Sequence, residues 1–153
     1  MAKLPTEGRL AGIDYGTVRI GIAISDPCQH FASPLENYTR AGAAADAGHF
    51  QRLAREEEIV GFVVGLPVHG DGTESAKSRE SRQFAQWLAG VTNCPTCVYD
   101  ERYSTVQAEQ LLGAARMTRK QRKKRLDMIA AQLILTAFLD SNREADPPRA
   151  LDG

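Results

Sequence analysis

Two apolar runs near the N-terminus, residues 9–15 and 18–25, are separated by only Gly16 and Thr17. Both runs are rich in residues that favour strands, and so short a connection can join only antiparallel neighbours. The sequence therefore predicts a β-hairpin whose first strand ends at Asp14. An aspartate before a tight turn can form an Asx-turn, so Asp14 has a structural interpretation as well as a chemical one.

The rest of the chain alternates between strand and helix patterns. The predicted elements after the hairpin are, in chain order, a Pro-bearing edge strand (31–38), a helix (43–57), a continuous apolar strand (58–67), a second helix (75–88), a short strand (96–101) and two further helices (104–112 and 127–141). Three antiparallel strands followed by these elements predict an α/β fold. Its mixed five-stranded sheet has three antiparallel strands plus two parallel ones, with helices on both faces.

Length and composition favour one domain. With 153 residues, 42% of them hydrophobic, the chain is expected to form a single domain over residues 1–153, with residues 142–153 as a flexible tail. We find no signal peptide pattern and no apolar run of membrane-spanning length, so we expect a cytoplasmic protein without a membrane partner. The odd number of cysteines, including the "CPTC" pair Cys94 and Cys97, is more typical of structural thiols than of a metal or redox site.

Three acidic residues are expected at one edge of this sheet. Asp14 ends the first strand, Glu101 ends the last strand, and Asp127 is expected to open the last helix. A purely structural role is possible for two of them, since Asp14 could shape a turn and Asp127 could cap a helix. Glu101 has no obvious structural use. If the three carboxylates converge, they repel one another unless a cation joins them, and oxygen ligands suit Mg²⁺ or Mn²⁺. The pattern predicts a metal-binding catalytic site.

A basic cluster precedes Asp127. The formal net charge is zero, but residues 116–125 carry seven of the 19 Lys and Arg residues. The cluster could be a solvated face, or it could contact a phosphate backbone beside the acidic site. The predicted nucleic-acid-binding residues are Lys77, Arg79, Arg82, Arg116, Arg119, Lys120, Arg122, Lys123, Lys124 and Arg125.

Four segments, "GIDYGTVRIGIAISD", "VVGLPVHGDGTES", "DERYSTVQAEQLL" and "DMIAAQLILTAFLD", resemble the YqgF family in this order. The resemblance covers residues 9–140 and departs mildly at "VHGDG" and in the "CPTC" segment. It implies an RNase H-like fold and a cytoplasmic bacterial nuclease, either a Holliday junction resolvase or an enzyme that matures the 5′ end of 16S rRNA. The family's acidic residues fall on Asp14, Glu101 and Asp127.

Other functions stay open at this point. The "IDYGT" turn is also similar to the phosphate-binding hairpin of actin-like ATPases, but those proteins bind nucleotide between two such domains. A nucleic-acid-binding protein without catalysis would have no use for three acids near phosphates. Precursor rRNA and branched DNA cannot be separated as substrates, because no motif displays the recognition of either. A homodimer is a further open expectation.

Overall fold

The computed structural model describes residues 3–67, 76–101 and 118–152, and within these ranges all side chains except those of residues 101, 122–124 and 142–152. The elements in chain order are β1 (Arg9–Asp14), β2 (Arg19–Ser25), β3 (Ala32–Thr39), α1 (Ala43–Glu56), β4 (Ile59–Pro67), α2 (Ala76–Thr92), β5 (Thr96–Glu101) and α3 (Arg119–Asp152).

The five strands form one sheet in the order β3-β2-β1-β4-β5. β1 pairs with β2, and β2 with β3, in antiparallel orientation, whereas β4 is parallel to both β1 and β5. The predicted α/β fold with a mixed five-stranded sheet is confirmed, including the hairpin and the edge position of the strand that contains Pro34.

Helices cover both faces of the sheet. On one face, Phe50 of α1 and Leu88 of α2 pack with strand residues that include Val64. On the other face, Leu135 of α3 packs with residues that include Val63. Because consecutive residues of β4 are buried in opposite clusters, both faces of that strand are covered, and its apolar sequence is continuous rather than alternating.

Two glycines let α3 approach the hairpin closely. A Cβ at Gly12 would lie 2.7 Å from the Cβ of Leu135. A Cβ at Gly21 would collide with the carbonyl oxygen of Asp127. The sheet therefore has no space for side chains at these points, and the glycines set the distance between β1, β2 and α3.

The prediction that Asp127 opens the last helix was wrong. α3 begins at Arg119, about two turns earlier, so the basic residues from Arg119 onward belong to the helix. Thr118 and Gln121 form a capping box: the Gln121 amide donates to Thr118 Oγ1, and Gln121 Oε1 accepts from the Thr118 amide, both at 3.1 Å. This cap satisfies backbone donors at the true start of the helix.

Several predictions lie outside the described residues or stay untested. The predicted helix at residues 104–112 falls outside the described ranges. The backbone of α3 continues to Asp152, and the single domain and flexible tail stay predictions. Cys28, Cys94 and Cys97 are free thiols, and burial raises the pKa of Cys97 to about 11. No helix among the described residues is long and apolar enough to span a membrane.

Candidate functional site

The end of β1 places Asp14 beside α3. Gly12 contacts α3, and residues two apart on a strand share a face, so Asp14 belongs to the face that α3 covers. Its cross-strand partner is Gly21, and the backbone of Asp127 packs directly over that glycine. The backbone of Asp127 therefore lies beside the strand end that carries Asp14, although 113 positions separate 14 from 127 in the sequence.

Glu101 lies at the same edge of the sheet, two strands from β1. Ile13 pairs with Val64, and Val64 pairs with Val98, so these three residues are level across the sheet. Asp14 is one residue beyond that level and Glu101 is three residues beyond it. Because strand positions alternate between the two faces of a sheet, these two positions belong to the same face. Neighbouring strands lie about 4.8 Å apart and each residue adds about 3.3 Å, so the backbone of Glu101 lies roughly 10 Å across the sheet from Asp14 and about 7 Å further along it. The side chain of Glu101 is outside the described set.

The carboxylate of Asp127 is held from two neighbouring strands. Its Oδ2 accepts a hydrogen bond from Asn37 Nδ2 of β3 at 3.2 Å and lies 3.4 Å from Arg19 Nε of β2. The Asp127 side chain is 27% exposed, so it is reachable by solvent while being oriented by the sheet. Sequence reasoning missed both partners; Arg19 stands within the quoted hairpin motif, but a contact across 108 positions has no local signal.

A cleft of about 440 Å³ opens beside Asp127. It crosses the carboxyl end of β1, between α2 on one face of the sheet and α3 on the other. Its walls carry two cations and two carboxylates. The lining residues are Tyr15, Gly16, Thr17, Arg19, Lys77, Glu80 and Asp127.

The turn beside Asp14 is anchored by a buried network. The Tyr15 hydroxyl accepts a hydrogen bond from Arg40 Nη1 at 2.9 Å, and Arg40 Nε donates to Asp46 Oδ2 at 3.1 Å. Asp46 is fully buried and also accepts from the Tyr38 hydroxyl at 2.7 Å and the Ala41 amide at 2.9 Å. These contacts fix Tyr15, the residue that follows Asp14.

This network favours the ionised form of Asp46 and the protonated form of Tyr38. Burial alone would raise the pKa of Asp46, but its hydrogen bonds from Ala41, Tyr38 and Arg40 outweigh burial and hold the pKa below the ordinary value. Burial, together with the hydrogen bond to Asp46, raises the pKa of Tyr38 to about 12. At neutral pH the network is therefore an ionised carboxylate with three satisfied donors.

The predicted nucleic-acid-binding residues fall into two groups. Lys77 lines the cleft, and Arg79 and Arg82 are exposed on the same helix. Arg119, Lys120 and Arg125 are exposed in the first turns of α3, before Asp127. Arg116 and the side chains of residues 122–124 are outside the described set. Among the side chains that are described, no group of three His, Cys, Asp or Glu residues is arranged to hold a metal ion.

Comparison with known proteins identifies relatives over most of the chain. The model of the RuvX family, described as Holliday junction resolvase, matches residues 8–141. A relative from Rhodopirellula baltica is 50% identical over 139 residues, covering 91% of this chain and 80% of its own. A relative from Rhodobacter capsulatus is 41% identical over 139 residues, covering 91% and 87%. Both are named as candidate pre-16S rRNA nucleases.

The fold is also similar to a solved resolvase. The structure of Thermus thermophilus RuvC in complex with Holliday junction substrate superposes with a TM-score of 0.57 at 12% identity. The match covers 89% of this chain and 96% of that protein. At this identity the likeness establishes the shared fold, which is the RNase H-like architecture that the sequence predicted.

Proposed function

The chain belongs to the RuvX (YqgF) family of Holliday junction resolvases, and from that membership we propose that it is a metal-dependent endonuclease that hydrolyses phosphodiester bonds in nucleic acid. The observation that carries the proposal is the packing of Asp127 over Gly21, opposite Asp14. It brings two acidic residues from distant segments to the same end of the hairpin. An ordinary turn or helix cap needs no such convergence.

The residues present suit a divalent cation. Carboxylate oxygens are ligands that Mg²⁺ and Mn²⁺ prefer, and the glycine at position 21 lets Asp127 reach the edge where Asp14 ends its strand. We propose that Asp14, Glu101 and Asp127 hold the ion. An ion held there would supply an activated water molecule and charge stabilisation for the leaving oxygen of a phosphodiester.

The protein's own groups prepare this site. Asn37 orients the Asp127 carboxylate, Arg19 pairs with it in the absence of metal, and the Arg40 contact to Tyr15 fixes the turn beside Asp14. The exposed basic residues at the start of α3, Arg119 and Lys120, would bind substrate phosphates close to the acids. Positioning and charge neutralisation are then supplied by different elements, which is typical of catalysis at phosphates.

We propose precursor 16S rRNA as the substrate, because the relatives from Rhodopirellula baltica and Rhodobacter capsulatus are named for it. Branched DNA is the second candidate, supported by the description of the family and by the fold shared with a resolvase seen on its junction. A cytoplasmic location and a homodimer stay predictions.

Parallel cleavage assays test the proposal. A precursor-rRNA fragment and a four-way DNA junction would each be incubated with the protein in Mg²⁺, in Mn²⁺ and in EDTA. We expect cleavage of the RNA in either metal and none in EDTA. Cleavage of the junction alone would transfer the assignment to the resolvase activity, and cleavage of both substrates in EDTA would contradict metal dependence.

A further inference from the structure

We propose that Arg19 binds two anions in turn: Asp127 while the site lacks a metal, and a phosphate of the substrate once a cation takes over that carboxylate. Lys77, on the opposite wall of the cleft, would contact the same stretch of backbone. The inference rests on the proposed function and assigns a phosphate-binding subsite to the cleft beside Asp127.

The contact between Arg19 and Asp127 is weak enough to exchange. Nε and Oδ2 are 3.4 Å apart, longer than the 2.7–2.9 Å that is typical of charge-assisted hydrogen bonds. The side chains are 33% and 27% exposed, so water screens the attraction. A guanidinium has five N–H donors, and a contact through Nε leaves others for a second acceptor.

A metal ion and Arg19 would compete for the same carboxylate. Both are cations that seek Asp127, and the guanidinium repels a second positive charge placed close to it. Metal binding therefore displaces Arg19 toward the cleft that it lines. With Asp127 held by the metal ion, the cleft keeps the two cations Arg19 and Lys77 against the single carboxylate of Glu80, so the anion expected there is a phosphate of the substrate.

This exchange predicts opposite effects on the two ligands. Arg19→Gln removes the competing cation, so Mn²⁺ should bind about two- to fivefold more tightly in the absence of nucleic acid, the range expected for loss of an exposed ion pair. The same variant should bind nucleic acid more weakly, with the salt slope reduced by about 0.7–0.9 for the lost phosphate contact. If Arg19 only braced Asp127, its loss would weaken Mn²⁺ binding.

Two titrations test the inference. Mn²⁺ binding would be measured by calorimetry, and binding of a labelled precursor-rRNA fragment and a labelled four-way junction by fluorescence anisotropy in Ca²⁺ across a salt series. The variants are Arg19→Gln, Arg19→Lys and Lys77→Gln. The matched control is Arg9→Gln, because Arg9 pairs with Glu57 at the same 3.4 Å and similar exposure, at the opposite end of β1.

The expected pattern is tighter Mn²⁺ binding for Arg19→Gln alone, a lower salt slope for Arg19→Gln and Lys77→Gln, and parental behaviour for Arg9→Gln. Arg19→Lys keeps the charge and should return Mn²⁺ binding toward the parental value, which also shows that the site still folds. Weaker Mn²⁺ binding or an unchanged salt slope in Arg19→Gln overturns the inference but leaves the proposed function standing. Failure of the parent protein to bind Mn²⁺ overturns both.

Discussion

At the scale of single residues, Gly21 and Asp46 determine the geometry of the site without taking part in its chemistry. Gly21 gives the backbone of Asp127 a place against β2, directly across from Asp14. Asp46 holds Arg40, which in turn holds the Tyr15 hydroxyl. Sequence reasoning proposed the acids but missed these supports, because a glycine contact and a buried ion pair depend on which elements meet in three dimensions.

Substituting Gly21 by alanine should displace α3. The new Cβ would meet a backbone carbonyl rather than a flexible side chain, so we expect a loss of about 1–3 kcal/mol in the free energy of unfolding. Urea denaturation measures it. Gly48→Ala is the control, because a Cβ there meets nothing within 4 Å. Replacing a glycine inside a helix by alanine should raise the free energy of unfolding by roughly 0.5–1 kcal/mol. Equal stability of Gly21→Ala and the parent would refute the close approach.

Substituting Asp46 by asparagine should destabilise the protein in a pH-dependent way. The NH₂ group of asparagine would face N–H and O–H donors instead of accepting their hydrogen bonds. We expect this to lower the free energy of unfolding by about 1–3 kcal/mol at neutral pH. The folded-state pKa of Asp46 is lowered, so its contribution is present above the unfolded value near 3.8 and is lost as the pH falls through the folded pKa. Urea denaturation at a series of pH values should show the difference between parent and variant shrinking below about pH 4. A difference that is constant down to pH 2 contradicts the assignment.

At the scale of elements, the hairpin was predicted correctly and the start of α3 was misplaced. Two residues between apolar runs leave only one way to connect β1 and β2, so a local pattern decides the topology. The helix start was misplaced because Asp127 looked like a cap, whereas the Thr118 and Gln121 pair satisfies the backbone donors earlier. The S/T-x-x-E/Q pattern at 118–121 is a signal that could have located it.

The basic start of α3 should bind phosphate without taking part in chemistry. Replacing Arg122, Lys123 and Lys124 with Gln should weaken binding of any nucleic acid and lower the salt slope by about 0.7–0.9 per lost contact. Anisotropy titrations from low to high salt measure the slope. An unchanged slope would assign these three residues to a solvated helix face.

At the scale of the whole molecule, three distant segments meet at one sheet edge. The sequence predicted the α/β layering, because element order is a local property, and the grouping of Asp14, Glu101 and Asp127 in one site stays a prediction. It did not predict that Asn37 and Arg19 would hold Asp127, since those contacts arise only when β2, β3 and α3 pack together. The cleft between α2 and α3 has the same origin.

The substitution Asp14→Asn tests the central claim, that this edge is a metal-dependent active site. Asparagine keeps the shape and the turn-forming ability of aspartate but removes the charge that binds a cation. We expect cleavage of the precursor-rRNA fragment in Mn²⁺ to collapse. The melting temperature without metal should be equal to or slightly above that of the parent, and the rise on adding Mn²⁺ should be smaller. A folded Asp14→Asn protein with full cleavage activity and an unchanged rise in melting temperature would contradict the account.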